Sequence, residues 1–409
     1  MTALAVTLAE WAHGLRPGQP DLELAGRSLR DTVAVALAAR DHPVTSLAAQ
    51  LPEGARWAVA AHVLDFDDLH MESTTHISAV CVPTALATRG GARAYLAAAG
   101  VMARLGTALG WPHYSAGWHA TCTTGAPASA AGAAVALGLG AEQIATAIAL
   151  AVPAAGGVQR AFGTDAKSLQ VGFAVDSGLR AARLAAAGAS ADPTALDAWV
   201  SLVGGTADGN PVADSPAVPG GLAIKIYPCC YALQRPISAL AELAGGNLDP
   251  GQVSRVVLRT PEAAVTPLIH HRPDTGLQAK FSLEYGAAAA LLDGYPGFAS
   301  FTDEAVRRPA ARRLIDRTEV KLDPGGSWLL DGELQATVHT AGGEVRQITQ
   351  RYPPGSPARP PGPAQLQAKL AGCIAGLDTH PASWAWDNAA QVLRDGLPDA
   401  GGRARPWTS

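Results

Sequence analysis

The chain has 409 residues, 48% of them hydrophobic and 16% charged, with a formal net charge of −4 and a pI of about 6.3. This composition excludes disorder, and the length suits two domains. The weakly acidic balance excludes the broad basic field of a nucleic-acid or anionic-membrane binder, so an anionic ligand must be met by a local basic pocket.

The opening stretch MTALAVTLAEWAHGLRPG has no basic n-region followed by an apolar h-region, and no uninterrupted apolar run reaches bilayer length. A soluble cytoplasmic enzyme is the expectation. From residue 1 to about 245, Ala, Leu and Val runs of helical length alternate with Gly, Pro and Ser/Thr clusters, which predicts a many-helix domain. Helices are expected over Ser28 to Ala39, Arg56 to Leu64, Val82 to Leu105, Ala126 to Leu137, Ala141 to Ala151, Gln170 to Ala187 and Pro236 to Leu243. Several are apolar on most faces and should be central.

After Asn247 the pattern changes. Val253 to Thr260 and Thr318 to Leu322 read as strands, and Leu334 to Thr340 with Val345 to Arg351 as a hairpin around Gly342-Gly343. Helical patterning covers Ser282 to Leu292 and Asp303 to Ile315. The Pro-rich stretch from Tyr352 to Gln365 predicts an extended linker, after which Leu366 to Leu377 and Ala382 to Leu393 return to helix. The expected fold is mainly α with an inserted α+β domain: a helical domain from residues 1–223 and 357–409, and a smaller α+β domain over 224–356.

Five cysteines, scattered apart from the Cys229-Cys230 pair, suggest reduced thiols without a structural disulfide. Basic residues are written as Arg 26 times and as Lys only five times, at Lys167, Lys225, Lys280, Lys321 and Lys369. A compact ammonium with a tunable pKa is something guanidinium cannot replace, so each of these lysines is suspect as a functional group.

Five segments could carry chemistry. LDFDDLHMESTTHISAV packs Asp65, Asp67, Asp68, His70, Glu72 and His76 beside an apolar helix, and reads as a metal site, as acid/base machinery, or as a solvated helix end. The zinc spacing of two His four apart with an intervening Glu is absent. In HYSAGWHATCTTGAPASAAG, His113, Tyr114 and His119 precede Thr121, Thr123 and Thr124, which are N-cap candidates. That helix start is either a carboxylate site or a cap alone. In FGTDAKSLQVGFAVDSG, Lys167 stands before a long helix whose dipole disfavours a cation, a mismatch that points to function over a solvated lysine. KIYPCCYALQRP carries Lys225, Cys230 and Tyr231 at the boundary between the domains; adjacent cysteines lack redox spacing. In IHHRPDTGLQAKFSLEYG, His270, His271, Arg272 and Lys280 form either an anion clamp or a solvated basic loop.

Together, LDFDD with its following His, GWHATCTTGA, FGTDAKSLQVGFAVDSG, KIYPCC and AKFSLEYGAAAALLDG resemble the MmgE/PrpD family in order and spacing along nearly the whole chain. The resemblance implies a helical domain built from both chain ends, an inserted α+β lid, a homodimer, and a metal-free, cofactor-free active site for a small polycarboxylate. Carried over by position, the site residues are Asp65, Asp68, His76, His119, Lys167, Lys225 and Cys230. His76-Ile77-Ser78 replaces the family's usual His-Pro-Ser, and Gln234 stands where His is common. Cys230 stands where the decarboxylase branch has His.

The implied reaction is proton transfer at the carbon α to a carboxylate. A 2-methylcitrate dehydratase-like hydro-lyase comes first, with an iminodisuccinate-type epimerase or a cis-aconitate-type decarboxylase as alternatives. Outside the enzymes, a helical binding or scaffold protein is the rival, and a metallohydrolase the third option. In the enzyme reading Lys167, Lys225 and Arg272 bind carboxylates together with Thr121 and Tyr231, His76 and His119 form the acid/base pair, and Tyr114 or Tyr231 assists.

Overall fold

The structure is a computed structural model and describes residues 2–206, 216–245, 247–329 and 331–399. The chain divides into two compact units: Met1–Gln159, Asp165–Ala223 and Pro363–Ser409 form the first, Arg160–Thr164 and Ile224–Gly362 the second. No helix among the described residues is long and apolar enough to cross a membrane.

The first unit is helical. Its chain runs through α1 (Leu4–Gly14), α2 (Gln19–Ala38), α3 (Pro43–Ala48), α4 (Glu53–Val63), α5 (Ile77–Ala87), α6 (Gly91–Ser115), α7 (Ala120–Ala136), α8 (Ala141–Ala151), α9 (Ala166–Ala186) and α10 (Ala195–Leu202). The single helix expected over Val82 to Leu105 is two. Arg89 and Gly91 take left-handed backbone conformations that end α5 and begin α6.

At the centre lies α7, ATCTTGAPASAAGAAVA, buried from Ala120 to Val135. It carries no side chain larger than Val, so its neighbours approach to backbone contact. A Cβ added at Gly178 of α9 would come 2.6 Å from the Ala126 carbonyl oxygen, and one at Gly132 of α7 would come 2.8 Å from that of Ala94 in α6. These approaches fix where α9 begins relative to α4, α5 and α7, and so set up the site described below.

The second unit is α+β. It contains α11 (Tyr231–Ala244), β1 (Val253–Pro261), α12 (Gly276–Ala279), α13 (Leu283–Asp293), α14 (Asp303–Arg307), α15 (Pro309–Asp316), β2 (Thr318–Asp323), β3 (Leu334–Thr340) and β4 (Val345–Gln350). The strands form one mixed sheet in the order β2-β1-β3-β4, parallel between β1 and β2 and antiparallel elsewhere. Val253, Val256 and Leu258 of β1 turn inward and join Leu233, Ile237 and Leu240 of α11 in one core. The helix expected over Asp303 to Ile315 breaks at Arg308, whose φ −50°, ψ 131° is the extended geometry that Pro309 imposes on its predecessor. The chain returns to the first unit in α16 (Pro363–Cys373) and α17 (Ala389–Gly396). There the Lys369 ammonium pairs with Asp31 at 2.8 Å and donates to the Phe66 carbonyl.

Candidate active site

In the first unit, four helix ends bring polar side chains into one buried cluster. The alanine-rich α4 carries His62 in its last turn, fully buried, and stops where Asp65 takes a left-handed φ of 56°. Asp tolerates that region better than most residues, at a cost of order 1 kcal/mol. The turn exposes the Asp65 and Asp67 carboxylates to the cluster in place of continuing the helix.

His76 and His119 sit at equivalent positions, as the N-cap residues of α5 and α7. The threonines do not cap. Thr123 and Thr124 lie inside the first turn and donate back to the Ala120 carbonyl at 3.2 and 2.7 Å. The Thr121 hydroxyl instead accepts the backbone N–H of His76 at 3.0 Å, which ties the two helix starts together. The positive ends of both helices disfavour a second positive charge on the imidazoles they carry.

Lys167 lies in the first turn of α9, where the dipole is unfavourable to it, and two acceptors offset this. Its Nζ is 2.8 Å from Asp65 Oδ2 and donates to His62 Nε2 at 2.8 Å. His62 must then carry its proton on Nδ1, which donates to Asp67 Oδ2 at 2.7 Å. The same carboxylate oxygen lies 3.1 Å from His76 Nδ1, a charge contact without hydrogen-bond geometry, and its negative charge favours the ring proton on Nδ1. The His62 ring meets His76 edge-on at 4.6 Å and stacks against His119 at 5.7 Å.

Burial, followed by the Lys167 charge, pushes the His62 pKa below its ordinary value. Burial and then the neighbouring His62 and Lys167 hold His119 well below the ordinary value, so its ring is neutral at pH 7. His119 Nδ1 faces the Gln170 Nε2 amide at 2.6 Å and the Cys122 Sγ at 3.2 Å. Burial pushes that thiol up, so it remains protonated.

One ligand atom from each of His62, Asp67 and His76 lies within 4.8 Å of the other two, the one possible metal triad found among the described residues. The 2.7 Å between His62 Nδ1 and Asp67 Oδ2 is hydrogen-bond spacing. Two ligands of a tetrahedral zinc stand about 3.3 Å apart. The His62–Asp67 contact is a hydrogen bond here, and the three donors together are of a type that also holds a divalent cation.

Two further sequence candidates of the helical unit lie outside this cluster. Asp68 belongs to a separate buried network: it accepts from the Ser78 N–H at 3.0 Å and from the Ser78 hydroxyl, which also meets Tyr95. Burial raises its pKa to about 7. Tyr114 is buried in the last turn of α6 with its ring stacked on Trp111. In the second unit, Lys225 is fully buried, Cys230 stands at the N-cap position of α11 without a capping side-chain bond, and Tyr231 opens the helix, its phenol pushed up by burial.

Gln234, in the first turn of α11, clamps the loop before that helix. Its Oε1 accepts from the N–H groups of Ile226 and Tyr227, both at 3.0 Å, and its Nε2 donates to the Tyr227 carbonyl at 2.8 Å. The basic cluster, read as either an anion clamp or a solvated loop, is dispersed. Arg272 is 63% exposed and paired with Asp316 at 2.7 Å, His271 pairs with Glu284, His270 donates to the Phe162 carbonyl, and Lys280 is buried, donating to the Pro228 carbonyl. Long side chains on a solvated loop pair with the nearest carboxylate or carbonyl, and no inward force gathers them.

The structure thus joins Asp65, His76, His119 and Lys167, with Thr121 as a tie, and adds His62, Asp67 and Gln170. A usable signal existed for Gln170, one helical turn after Lys167 and so on the same face of α9. His62 carried the weaker signal of a lone histidine in an alanine run.

The sequence matches the MmgE/PrpD N-terminal domain over residues 52–199 and the MmgE/PrpD C-terminal domain over residues 227–392. The chain belongs to the MmgE/PrpD family. Its whole helical cluster, from His62 to Gln170, lies inside the MmgE/PrpD N-terminal match, whereas Lys225 falls between the two matched segments. Similar proteins include cis-aconitate decarboxylase of Mus musculus, 28% identical over 51% of this chain and 45% of that protein, and its Homo sapiens counterpart, 29% identical over the same shares. Cis-aconitate decarboxylase of Aspergillus terreus is 26% identical over 66% of this chain and 64% of its own. The chain thus matches about half the length of its mammalian MmgE/PrpD relatives.

Proposed function

We propose that the protein is a lyase or isomerase that moves a proton at the carbon α to a carboxylate of a small di- or tricarboxylic acid, without a metal ion in the step. One observation carries the reading: a buried ammonium, two carboxylates and three imidazoles stand within contact distance in the helical unit. A group of this kind is expensive to bury unless its protonation states are used.

In this mechanism the His76 Nε2 lone pair takes the α-proton. The C–H electron pair passes into an enediolate, and Asp67 stabilises the imidazolium that forms. Neutral His119 gives its Nε2 proton to the departing group and is reprotonated from the His76 imidazolium, which returns both rings to neutral. In a hydro-lyase reaction the C–O bond breaks and the hydroxyl leaves as water. Lys167 places positive charge beside the enediolate oxygens, and Lys225 keeps the carboxylate-binding role that the family resemblance gives it. A 2-methylcitrate dehydratase-like reaction and an epimerase reaction both use these steps.

Decarboxylation is the second reading, favoured by the names of the relatives. There the C–C bond breaks, carbon dioxide leaves, and the same carbanion is protonated from the site. The shared carbanion defines the test. The protein is incubated in deuterated water with citrate-like, malate-like and imino-diacid substrates and followed by proton NMR. Solvent deuterium at the α-carbon, with alkene formation, inversion or carbon dioxide release separating the outcomes, is expected for at least one acid. No label and no turnover across the panel would overturn the reading and leave the scaffold alternative standing.

A further inference from the structure

We propose that Gln170 is a positioning residue that fixes the tautomer of His119, holding the ring proton on Nε2 and so making His119 the proton donor of the site. The catalytic half of this inference rests on the function proposed above; the tautomer itself does not.

Which way a glutamine amide points is ordinarily ambiguous, because its oxygen and nitrogen have similar shapes. Here the backbone resolves it. The Val158 N–H donates to Gln170 Oε1 at 3.1 Å, and the Val158 carbonyl accepts from Gln170 Nε2 at 3.4 Å. Reversing the amide would set an NH2 group against an N–H and an oxygen against an oxygen. The amide nitrogen is therefore the atom 2.6 Å from His119 Nδ1. An amide nitrogen can only donate, so Nδ1 must accept, and the single proton of a neutral imidazole goes to Nε2.

Three surrounding features support this assignment. The Val158 segment is held in place from the other side by His119 itself, whose N–H donates to the Gly157 carbonyl at 3.0 Å, and by an isolated bridge from Trp118 to Val158. The charged and titratable groups near the ring are His62, His76, Lys167, Asp65 and the Cys122 thiol. Of these the cations and the burial keep His119 neutral, which is the condition under which a tautomer matters.

The result is a pair of histidines with opposite polarity. Asp67 makes His76 a proton acceptor at Nε2, and Gln170 makes His119 a proton donor at Nε2. The two rings stand at equivalent helix N-caps, so the difference between acid and base comes from the side chain facing each Nδ1: a carboxylate for one, an amide nitrogen for the other. This is the separation of roles that a dehydration needs in one pocket.

The experiment uses the full-length protein with ¹⁵N-labelled histidine, read by long-range ¹H–¹⁵N correlation, with His119→Asn to assign the ring signals. Wild type should show His119 protonated at Nε2 and bare at Nδ1. Gln170→Glu presents only oxygen to Nδ1 and should move the proton there. Gln170→Met, close in shape but without a donor, should give a mixture of tautomers. Both variants should keep the wild-type circular dichroism spectrum.

On any panel acid that wild type labels in deuterated water, Gln170→Glu should lower kcat by about 10²-fold or more, the ordinary value of a general acid, with little change in KM. A wild-type ring protonated at Nδ1, or a tautomer unmoved by Gln170→Glu, would overturn the assignment whether or not the protein turns anything over. A moved tautomer with unchanged kcat would overturn the donor role. Absence of label with every acid in wild type counts against the proposed function and leaves the NMR result to decide the tautomer.

Discussion

Replacing Asp67 with Asn should disable the proposed base while leaving the fold in place. The carboxylate oxygen of Asp67 lies 3.1 Å from His76 Nδ1 and accepts from His62 at 2.7 Å. When His76 takes a proton, a unit positive charge forms next to that anion. At 3.1 Å and an effective dielectric constant of about 20, their attraction is about 5 kcal/mol. Asn has the same shape and can offer an amide oxygen in the same place, so part of this is recovered as a charge–dipole interaction. A net loss of about 4 kcal/mol in the transition state corresponds to roughly 10³-fold in kcat, at 1.36 kcal/mol per decade. Because the charge appears only as the proton moves, KM should change little. The assay is the initial rate of deuterium incorporation at saturating substrate, with thermal denaturation to show that the variant is folded. A folded Asp67→Asn protein with kcat within fivefold of wild type would refute the role given to this carboxylate.

The Lys167–Asp65 pair is nearly inaccessible to solvent, with 8% and 2% of the two side chains exposed, so Lys167→Met should destabilise the protein by about 3–5 kcal/mol through the buried carboxylate it strands. Adding Asp65→Asn should restore at least about 2 kcal/mol in urea denaturation; additive losses would contradict the coupling. Stability should also depend on pH in a definite sense. Burial lowers the pKa of His62, His70, His113 and His119 in the folded state, so the unfolded chain binds more protons below the ordinary histidine value. The stability these neutral rings contribute is complete above about pH 6.5 and is lost as pH falls through it. Asp68, raised to about 7, opposes this with a single proton against four rings, so the net change on acidification is a loss; a denaturation midpoint that holds or rises on acidification would contradict the burial of these rings. Finally, Gly178→Ala should lower stability by about 1–3 kcal/mol, because its Cβ would meet Ser129 Cβ at 2.5 Å and backbone atoms of α7 just beyond; an unchanged thermal midpoint would argue against the close α7–α9 approach.

Much of the fold could be read from periodicity. The alanine-rich runs gave buried helices, and alternating residues such as Val256, Leu258 and Thr260 gave strands, because burial on one side imposes these repeats. Breaks were harder. Arg89 and Arg308 end helices through backbone geometry that their own side chains do not advertise. Within the site, the scarcity of lysine pointed at Lys167, and the family motifs at His76, His119 and Asp65. What stayed hidden were residues whose meaning depends on distant partners: His62 is 105 residues from Lys167, and Gln170 is 51 from His119. A histidine in an alanine helix looks like packing until an ammonium meets it. Arg272 is paired with Asp316 on an exposed loop, and local charge density there does not bring the loop's basic groups to a common point.

The central claim is that side chains alone move the proton. Its most direct test is the deuterium-labelling rate of wild-type protein after exhaustive dialysis against a chelator, with metal content measured on the same sample. The account predicts an undiminished rate in metal-free protein. Loss of labelling on chelation and its recovery with added zinc would contradict it, and would turn His62, Asp67 and His76 from a relay into ligands.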